Sequence, residues 1–250
     1  MQIEEKTGNT RLTAVADQNN ADNWLEFVSV LLHDLESPLA SMKYLLKLLD
    51  EGKLDLQKPL HRRIVSSSRV AVERAESIIY DIMAVAKSGD LGIPCKPLEI
   101  DLNEIVRDTM ILAGNSAQEH QIQIRLAGQP GTLPALADVG LLKRVMDNLL
   151  FNAIRHTPDG GDITVSIDEQ EDSVLIHIKD SGPGLGDIDP EALFEKYGQL
   201  KMRTEGRHRG VGLGLYFCRL AAIGMGGTIL ADDHPDGGAV FSIRLCKAKE

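Results

Sequence analysis

Apolar residues recur at alternating intervals of four and three from Trp24 onward, and this spacing constrains the fold most strongly. Such a repeat places one stripe of side chains along a helix that packs against another helix. A second and weaker stripe begins after Pro59, and Gly52 supplies a helix stop between the two. We therefore expect a hairpin of two long helices. The first stripe consists of Trp24, Val28, Leu31, Leu35, Pro38, Met42, Leu45 and Leu49.

The wide apolar face of this hairpin predicts a homodimer. The second stripe consists of Leu60, Ile64, Ala71, Ala75, Ile78, Ile82 and Val85. A single hairpin would leave half of the combined face in water. Two copies that pair as a four-helix bundle would bury it.

His33 falls on the side of the first helix opposite the apolar stripe, so we expect its ring to face solvent. Ser37 lies one turn later on the same outer side, and Asp34 flanks the histidine. Pro38 lacks an N–H and should bend the helix directly after these residues. The periodicity alone leaves open whether His33 is an ordinary solvated surface residue or a reactive group.

From Pro97 the pattern changes to short strands interspersed with helices. Asp101 is suited to cap the helix that follows it. Two later segments read as hairpins and a glycine-rich segment leads into a last helix, which predicts an α+β fold, a mixed sheet covered on one face by helices. We expect four regions: a polar segment 1–21, the helical hairpin 22–88, a linker 89–96 and a second domain 97–250.

Charge and composition exclude several classes of partner. The formal net charge is −10 and aromatic residues make up 4% of the chain, which argues against a nucleic-acid partner. No apolar run approaches the ~20 residues of a membrane span. The cysteines, Cys95, Cys218 and Cys246, are far apart, as expected for a reduced, cytoplasmic protein.

Two asparagines in the segment DNLLFNAIRHT form the first candidate site. Asn148 and Asn152 lie one turn apart on one helix face, away from the apolar stripe. Asparagine is mildly unfavourable inside helices, and its carbonyl oxygen is a ligand suited to Mg²⁺. The same pattern also fits two solvated asparagines.

Glycines mark two further candidate sites. In DSGPGLG, Asp180 ends an apolar strand, where its carboxylate can accept a hydrogen bond from an exocyclic amine, and Gly182 and Gly184 allow close approach to a flat ring. In GRHRGVGLGLYF, glycines before a helix offer N–H groups to phosphate. Alone, these patterns also fit an ordinary turn and a weak glycine motif. The basic segment 186–209 between them reads as a mobile lid over a phosphate site.

These motifs, taken in order, resemble the transmitter core of sensor histidine kinases of two-component systems. HDLESPL is similar to the family's H-box, DNLLFNAIRHTP to its N-box, DSGPGL and GVGLGL to its two glycine boxes, and LFEKYGQL to its F-box. The resemblance covers about residues 24–246. It implies a dimeric phosphoacceptor hairpin followed by an ATP-binding domain of the kind found in gyrase B, Hsp90 and MutL.

By position, the resemblance implies that His33 accepts the phosphoryl group, that Asp34 orients and deprotonates the imidazole, and that Asn152 binds Mg²⁺. Asp180 would bind the adenine amine, and Phe194 would help to anchor the lid. The residues implied to contact ATP are Asn148, Asn152, Arg155, His156, Asp180, Gly182, Gly184, Lys196, Tyr197, Arg209, Gly210, Gly212, Leu213, Gly214 and Leu215.

The activity that the resemblance implies is an ATP- and Mg²⁺-dependent autokinase, which passes phosphate from His33 to an aspartate of a response regulator. Ser37 stands where members with phosphatase activity often have Thr or Asn, so a mainly phosphatase role stays open. A phosphotransfer scaffold and a conformational ATPase of the Hsp90 or MutL type also stay open. Residues 1–23 are too short for a sensing domain, which leaves open a fragment of a larger receptor or a kinase with a separate sensor.

Overall fold

The computed structural model describes residues 38–88, 92–128, 131–196 and 213–248, together with the single residues Leu32, Leu35 and Glu36. The chain divides into two compact units, with the boundary after Tyr80. The first unit holds α1, residues 38–50, and most of α2, Pro59–Lys87. His33, Asp34 and Ser37 lie outside the described residues.

The predicted turn between the two helices is confirmed. Gly52 adopts a positive φ of 61° directly after α1, and the carbonyl of Leu48 accepts hydrogen bonds from Lys53 and Leu54. Of the expected stripe of α1, Pro38 is buried and Met42 and Leu45 are half-buried, but Leu49 is 51% exposed and its neighbour Leu48 is 9% exposed. Helix α2 packs on the side of α1 where the Ser68 hydroxyl donates to the Ser41 carbonyl over 3.1 Å.

The second unit is built on a five-stranded mixed sheet in the order β2-β4-β5-β7-β6. Strand β2 is parallel to β4, and the other neighbours are antiparallel. A separate two-stranded antiparallel sheet pairs β1 with β3. The strands are Leu98–Asp101 (β1), Gln123–Ala127 (β2), Pro134–Ala137 (β3), Asp162–Glu169 (β4), Ser173–Asp180 (β5), Thr228–Asp233 (β6) and Ala239–Cys246 (β7).

Three helices of this unit complete the α+β fold that the sequence predicted: α3, Leu102–Glu119; α4, Val139–His156; and α5, Leu213–Gly224. The predicted apolar stripe of α4 is buried and packs with the inward-facing side chains of the sheet. Strand β3 was not predicted, because a four-residue run that begins with proline carries no alternating pattern. None of the helices within the described part of the chain is long and apolar enough to cross a membrane.

Residues of the expected linker pack against α5. The Ile93 N–H donates to the Leu220 carbonyl over 3.0 Å, and the Cys95 thiol donates to the Gly224 carbonyl over 3.0 Å. A Cβ at Gly224 would overlap the Ile93 carbonyl, so this position requires glycine. Hydrogen bonds therefore hold the expected linker against α5, the helix that begins in the second glycine segment.

Asp101 caps α3, as expected, and also holds the loop before β3. Its Oδ1 accepts hydrogen bonds from the Asn103 N–H over 3.1 Å and from the Leu133 N–H over 3.3 Å. Because one carboxylate oxygen satisfies donors from two segments, the cap couples the start of α3 to the second sheet.

We expect Asp101→Ala to lower the free energy of unfolding by about 1–2 kcal/mol, since it removes the cap and leaves its donors unsatisfied. Asp101→Asn should retain most of the stability because asparagine also caps helices well. Urea denaturation measures both, with Glu171→Ala in the exposed β4–β5 turn as the control. Equal stability of the alanine variant and wild type would contradict the assignment.

Candidate functional site

Helix α4 supplies one wall of the candidate site. The Asp138 side chain caps its first turn by accepting from the Leu141 N–H over 3.1 Å. Seven apolar side chains of the predicted stripe face the core, and Asn148 and Asn152 lie beside them, half-buried. At the C-terminal end Arg155 is exposed and His156 is half-buried. The helix therefore presents the two amides on a face distinct from its apolar one, as the sequence predicted.

Asp180 lies at the C-terminal end of β5 and is 3% exposed. Its Oδ1 accepts hydrogen bonds from the Gly182 N–H over 2.8 Å and from the Ala239 N–H over 3.2 Å. Two hydrogen bonds to one oxygen fix the direction of the other oxygen, Oδ2. The side chain is thus a rigid acceptor, which is what selective recognition of an amine requires.

Glycines join the three predicted motifs into one site. A Cβ at Gly182 would lie 2.5 Å from the carbonyl oxygen of His156, the last residue of α4. A Cβ at Gly214, in the first turn of α5, would lie 3.0 Å from Oδ1 of Asn148. Leu213 and Leu215, on either side of Gly214, are buried. The structure therefore brings α4, the end of β5 and the start of α5 together at close range.

The turn between β6 and β7 is a part of the site that the sequence analysis missed. The Asp233 carboxylate accepts from the N–H groups of Leu185 and Gly186, over 2.5 and 3.2 Å. At its other end, Gly238 packs directly on the backbone of Asp180. The segment DHPDGG reads only as a turn, and no signal in it points to residues some 50 positions earlier in the chain.

Phe194 lies within the segment 186–209 that the sequence predicts as a lid. It belongs to a short 3-10 helix, Glu191–Phe194, and is fully buried with its ring edge-to-face against Phe241, at 6.3 Å between centroids. Glu191 forms a 3.0 Å ion pair with Arg219 of α5. Lys196 is exposed and ends this described stretch. Tyr197, Arg209, Gly210 and Gly212 lie outside the described residues.

Asn152 carries the amide oxygen that could hold a magnesium ion, since Mg²⁺ accepts oxygen ligands and takes few of them from the protein. Among the residues that the structure describes, no three His, Cys, Asp or Glu side chains are grouped to hold a metal ion. Burial raises the pKa of Asp147, next to Asn148, while Arg144 and Lys143 oppose that rise.

We expect Gly238→Ala to destabilise the protein and weaken ligand binding at Asp180. Its φ is 86°, and a Cβ there would overlap the Asp180 carbonyl oxygen, so the β6–β7 turn must move away. Gly237 is a matched control, since its φ is 95° and a Cβ there meets no atom within 4 Å.

Both alanine variants carry the strain of a positive φ, so their difference isolates the contact with Asp180. Gly238→Ala should lose about 1–3 kcal/mol more than Gly237→Ala, as overpacked sites do. Chemical denaturation and ATP titration measure the two effects. Identical behaviour of the two variants would show that this turn does not support the site.

Two family models match the chain. The model described as "Histidine kinase-, DNA gyrase B-, and HSP90-like ATPase" covers residues 137–249, and the model described as "His Kinase A (phospho-acceptor) domain" covers residues 23–90. Together they span both helices of the hairpin and all the site residues described above from α4 to β7.

Individual proteins agree with the family models. The adaptive-response sensory kinase SasA of Microcystis aeruginosa is 29% identical over 88% of this chain and 58% of its own length. The chain thus spans less than two thirds of that relative. The solved catalytic domain of the histidine kinase ThkA is 26% identical, with a TM-score of 0.52 over 61% of this chain and 96% of that domain.

A larger structure shares the fold over nearly the whole chain. ThkA in complex with the response regulator protein TrrA is 23% identical, with a TM-score of 0.57 over 98% of this chain and 65% of that one. The ordered motifs, the α+β domain with its joined glycine segments and the two family models agree: the chain belongs to the sensor histidine kinases of two-component systems.

Proposed function

We propose that this chain is an ATP-dependent protein-histidine autokinase, which phosphorylates His33 and passes the phosphoryl group to an aspartate of a response regulator. The observation that carries the proposal is the buried Asp180, which two backbone N–H groups hold where α4, β5 and α5 meet. A fixed carboxylate with glycines on both sides suits the exocyclic amine and flat ring of adenine.

In this proposal α4 and α5 hold the phosphates. Asn152 coordinates Mg²⁺, which shields the charge of the phosphates when it is bound. Gly214 and the N-terminus of α5 present N–H groups to phosphate oxygens. The remaining proposed contacts come from the rest of the N-box, the lid and the second glycine segment, namely Asn148, Arg155, His156, Lys196, Tyr197, Arg209, Gly210, Gly212, Leu213 and Leu215.

The proposed chemical step is an in-line transfer. A neutral nitrogen of the His33 imidazole bonds to the γ-phosphorus while the bond from that phosphorus to the bridging oxygen of ADP breaks. The ordinary pKa of histidine, near 6.5, leaves most of the ring neutral at pH 7. Asp34 accepts the proton of the other ring nitrogen and stabilises the positive charge that develops during attack.

The hairpin supports the proposed dimer. Several large apolar side chains of α1 and α2 are exposed in the single chain, more than scattered surface residues account for. A second copy that packs as a four-helix bundle would cover them. They are Leu39, Tyr44, Leu46, Leu49, Leu60, Val70, Val72, Ile79 and Tyr80.

Partners and location follow from the same proposal. The fold shared with ThkA, which has been solved with the response regulator TrrA, supports a receiver domain as the phosphate acceptor. Three free thiols, at Cys95, Cys218 and Cys246, are consistent with a reducing, cytoplasmic setting. The proposed domain limits are 22–88 for the phosphoacceptor hairpin and 97–250 for the catalytic domain.

Incubation with Mg²⁺ and γ-labelled ATP tests the activity. Wild type should gain an acid-labile, alkali-stable label, and His33→Gln should carry none, because the nucleophile is gone. His120→Gln is the matched control, as His120 is an exposed surface histidine beside Asp159.

Asp180→Asn should weaken ATP binding by at least about tenfold, or ~1.4 kcal/mol. ATP hydrolysis without a label on the protein would instead favour an ATPase of the Hsp90 type.

Ser37 is proposed to position a water molecule for removal of phosphate from the response regulator. Its hydroxyl falls one helical turn after His33 on the same predicted side. Ser37→Ala should slow the dephosphorylation of a phosphorylated regulator and leave autophosphorylation close to the wild-type rate. An unchanged dephosphorylation rate would remove Ser37 from the mechanism.

A further inference from the structure

Asp81 is a buried carboxyl group for which the proposed mechanism has no use. It lies on the part of α2 that belongs to the second unit, is 4% exposed and receives a 2.8 Å hydrogen bond from Nε of Arg144. The Arg144 guanidinium in turn stands 5.6 Å from the ring centroid of Phe217 on α5. Three helices, α2, α4 and α5, therefore meet around one ion pair, in which Asp81 is buried and Arg144 is partly exposed.

Asn148 lies one turn after Arg144 and joins this pair to the nucleotide site. Its Nδ2 is buried and has no hydrogen-bond partner of standard geometry within the described structure. Its amide is nevertheless close enough to Asp81 to lower that carboxyl's pKa. Its Oδ1 lies against Gly214. The side chain thus stands between Asp81 on one side and the first turn of α5 on the other.

Asp81 interacts electrostatically with groups on two other helices, α4 and α5. Burial raises the pKa of Asp81 to about 6, although the charge and hydrogen bond of Arg144 and the amide of Asn148 oppose the rise. Burial also raises the pKa of the Cys218 thiol well above its usual value, and the charge of Asp81 adds to that rise. The groups that face Asp81 from α4 and α5 are therefore Arg144, Asn148 and Cys218.

Stability alone is a weak explanation for this pair. Removing one partner of a buried ion pair is strongly destabilising, but replacing both by apolar residues of similar volume is often neutral or better. What an apolar pair cannot supply is a carboxylate that attracts the buried Asn148 amide. An amide without an oriented partner can rotate and exchange the positions of its oxygen and nitrogen beside Gly214.

We propose that Asp81 is a positioning residue for the phosphate side of the nucleotide site. Its carboxylate, held by Arg144, attracts the amide nitrogen of Asn148 and so directs the carbonyl oxygen of Asn148 to the first turn of α5. This inference rests on the proposed binding of ATP between α4 and α5, and it assigns to α2 a part in forming that site.

Two double variants separate orientation from stability. Asp81→Leu with Arg144→Met removes both charges at similar volume and takes the carboxylate away from the Asn148 amide. Asp81→Asn with Arg144→Gln removes the charges but keeps an acceptor oxygen. We expect the Kd of a non-hydrolysable ATP analogue with Mg²⁺ to rise at least tenfold in the first variant and to stay within threefold of wild type in the second.

Isothermal titration calorimetry on the full chain measures the affinities, and thermal unfolding confirms that each variant is folded. Asp162→Asn is the control, since it breaks an exposed ion pair with Arg125 on the sheet and should change neither quantity. Equal affinities in the two double variants, whether both kept or both lost, would overturn the proposal.

A second measurement needs no variant to fold. The side-chain amide resonance of Asn148 in the unliganded wild type should shift between pH 5 and 7 as Asp81 titrates, and a flat resonance would overturn the proposal. Failure of wild type to bind nucleotide at all would instead refute the proposed function. In that case a flat amide resonance would still overturn the proposed effect of Asp81 on Asn148.

Discussion

Close backbone contact at positions without a side chain is the constraint on which the nucleotide site depends. Gly182 lies against the last carbonyl of α4, and Gly214 lies against the side-chain amide of Asn148. Gly238 lies against the backbone of Asp180. Each contact joins a helix or strand end to a segment distant in sequence. A Cβ would overlap backbone atoms at Gly182 and Gly238, and at Gly214 it would crowd the Asn148 side chain. The site is thereby built on rigid elements, which hold side chains more accurately than loops do. Its ligand groups are positioned by packing before any ligand arrives.

Hydrogen bonding adds direction to this packing. Asp180 receives N–H donors from its own loop and from β7, and Asp233 receives the N–H groups of Leu185 and Gly186. Each carboxylate thus connects two segments by hydrogen bonds. Through Asp233, the β6–β7 turn stabilises the first glycine segment. The buried carboxylate of Asp180 has one orientation, because any other would leave a donor unsatisfied at a cost of about 1–3 kcal/mol.

Local signals explain which parts of this arrangement the sequence predicts. The cap at Asp101, the stripe of α4 and the glycine stop at Gly52 each depend on residues within a few positions, and each is confirmed. Strand β3 escaped prediction because four residues are too few to show a period. Asp233 was missed because a charged residue at a strand end is ordinary, and its meaning comes from partners 47 and 48 positions away. Whether Leu48 or Leu49 is buried depends on the side from which α2 packs, and the pattern of a single helix does not contain that information.

The ion pair of Asp81 and Arg144 also could not be predicted from local sequence patterns. Arg144 donates to the buried carboxylate of Asp81, 63 positions away, and no pattern on either helix indicates this pairing. A carboxylate placed there loses hydration, and the raised pKa of Asp81 shows that Arg144 does not fully compensate for that loss. Apolar side chains would avoid the penalty. A charge that persists at such a position is best explained by a direction that it imposes on a neighbour, and Asn148 is the neighbour whose direction reaches the phosphate side of the site.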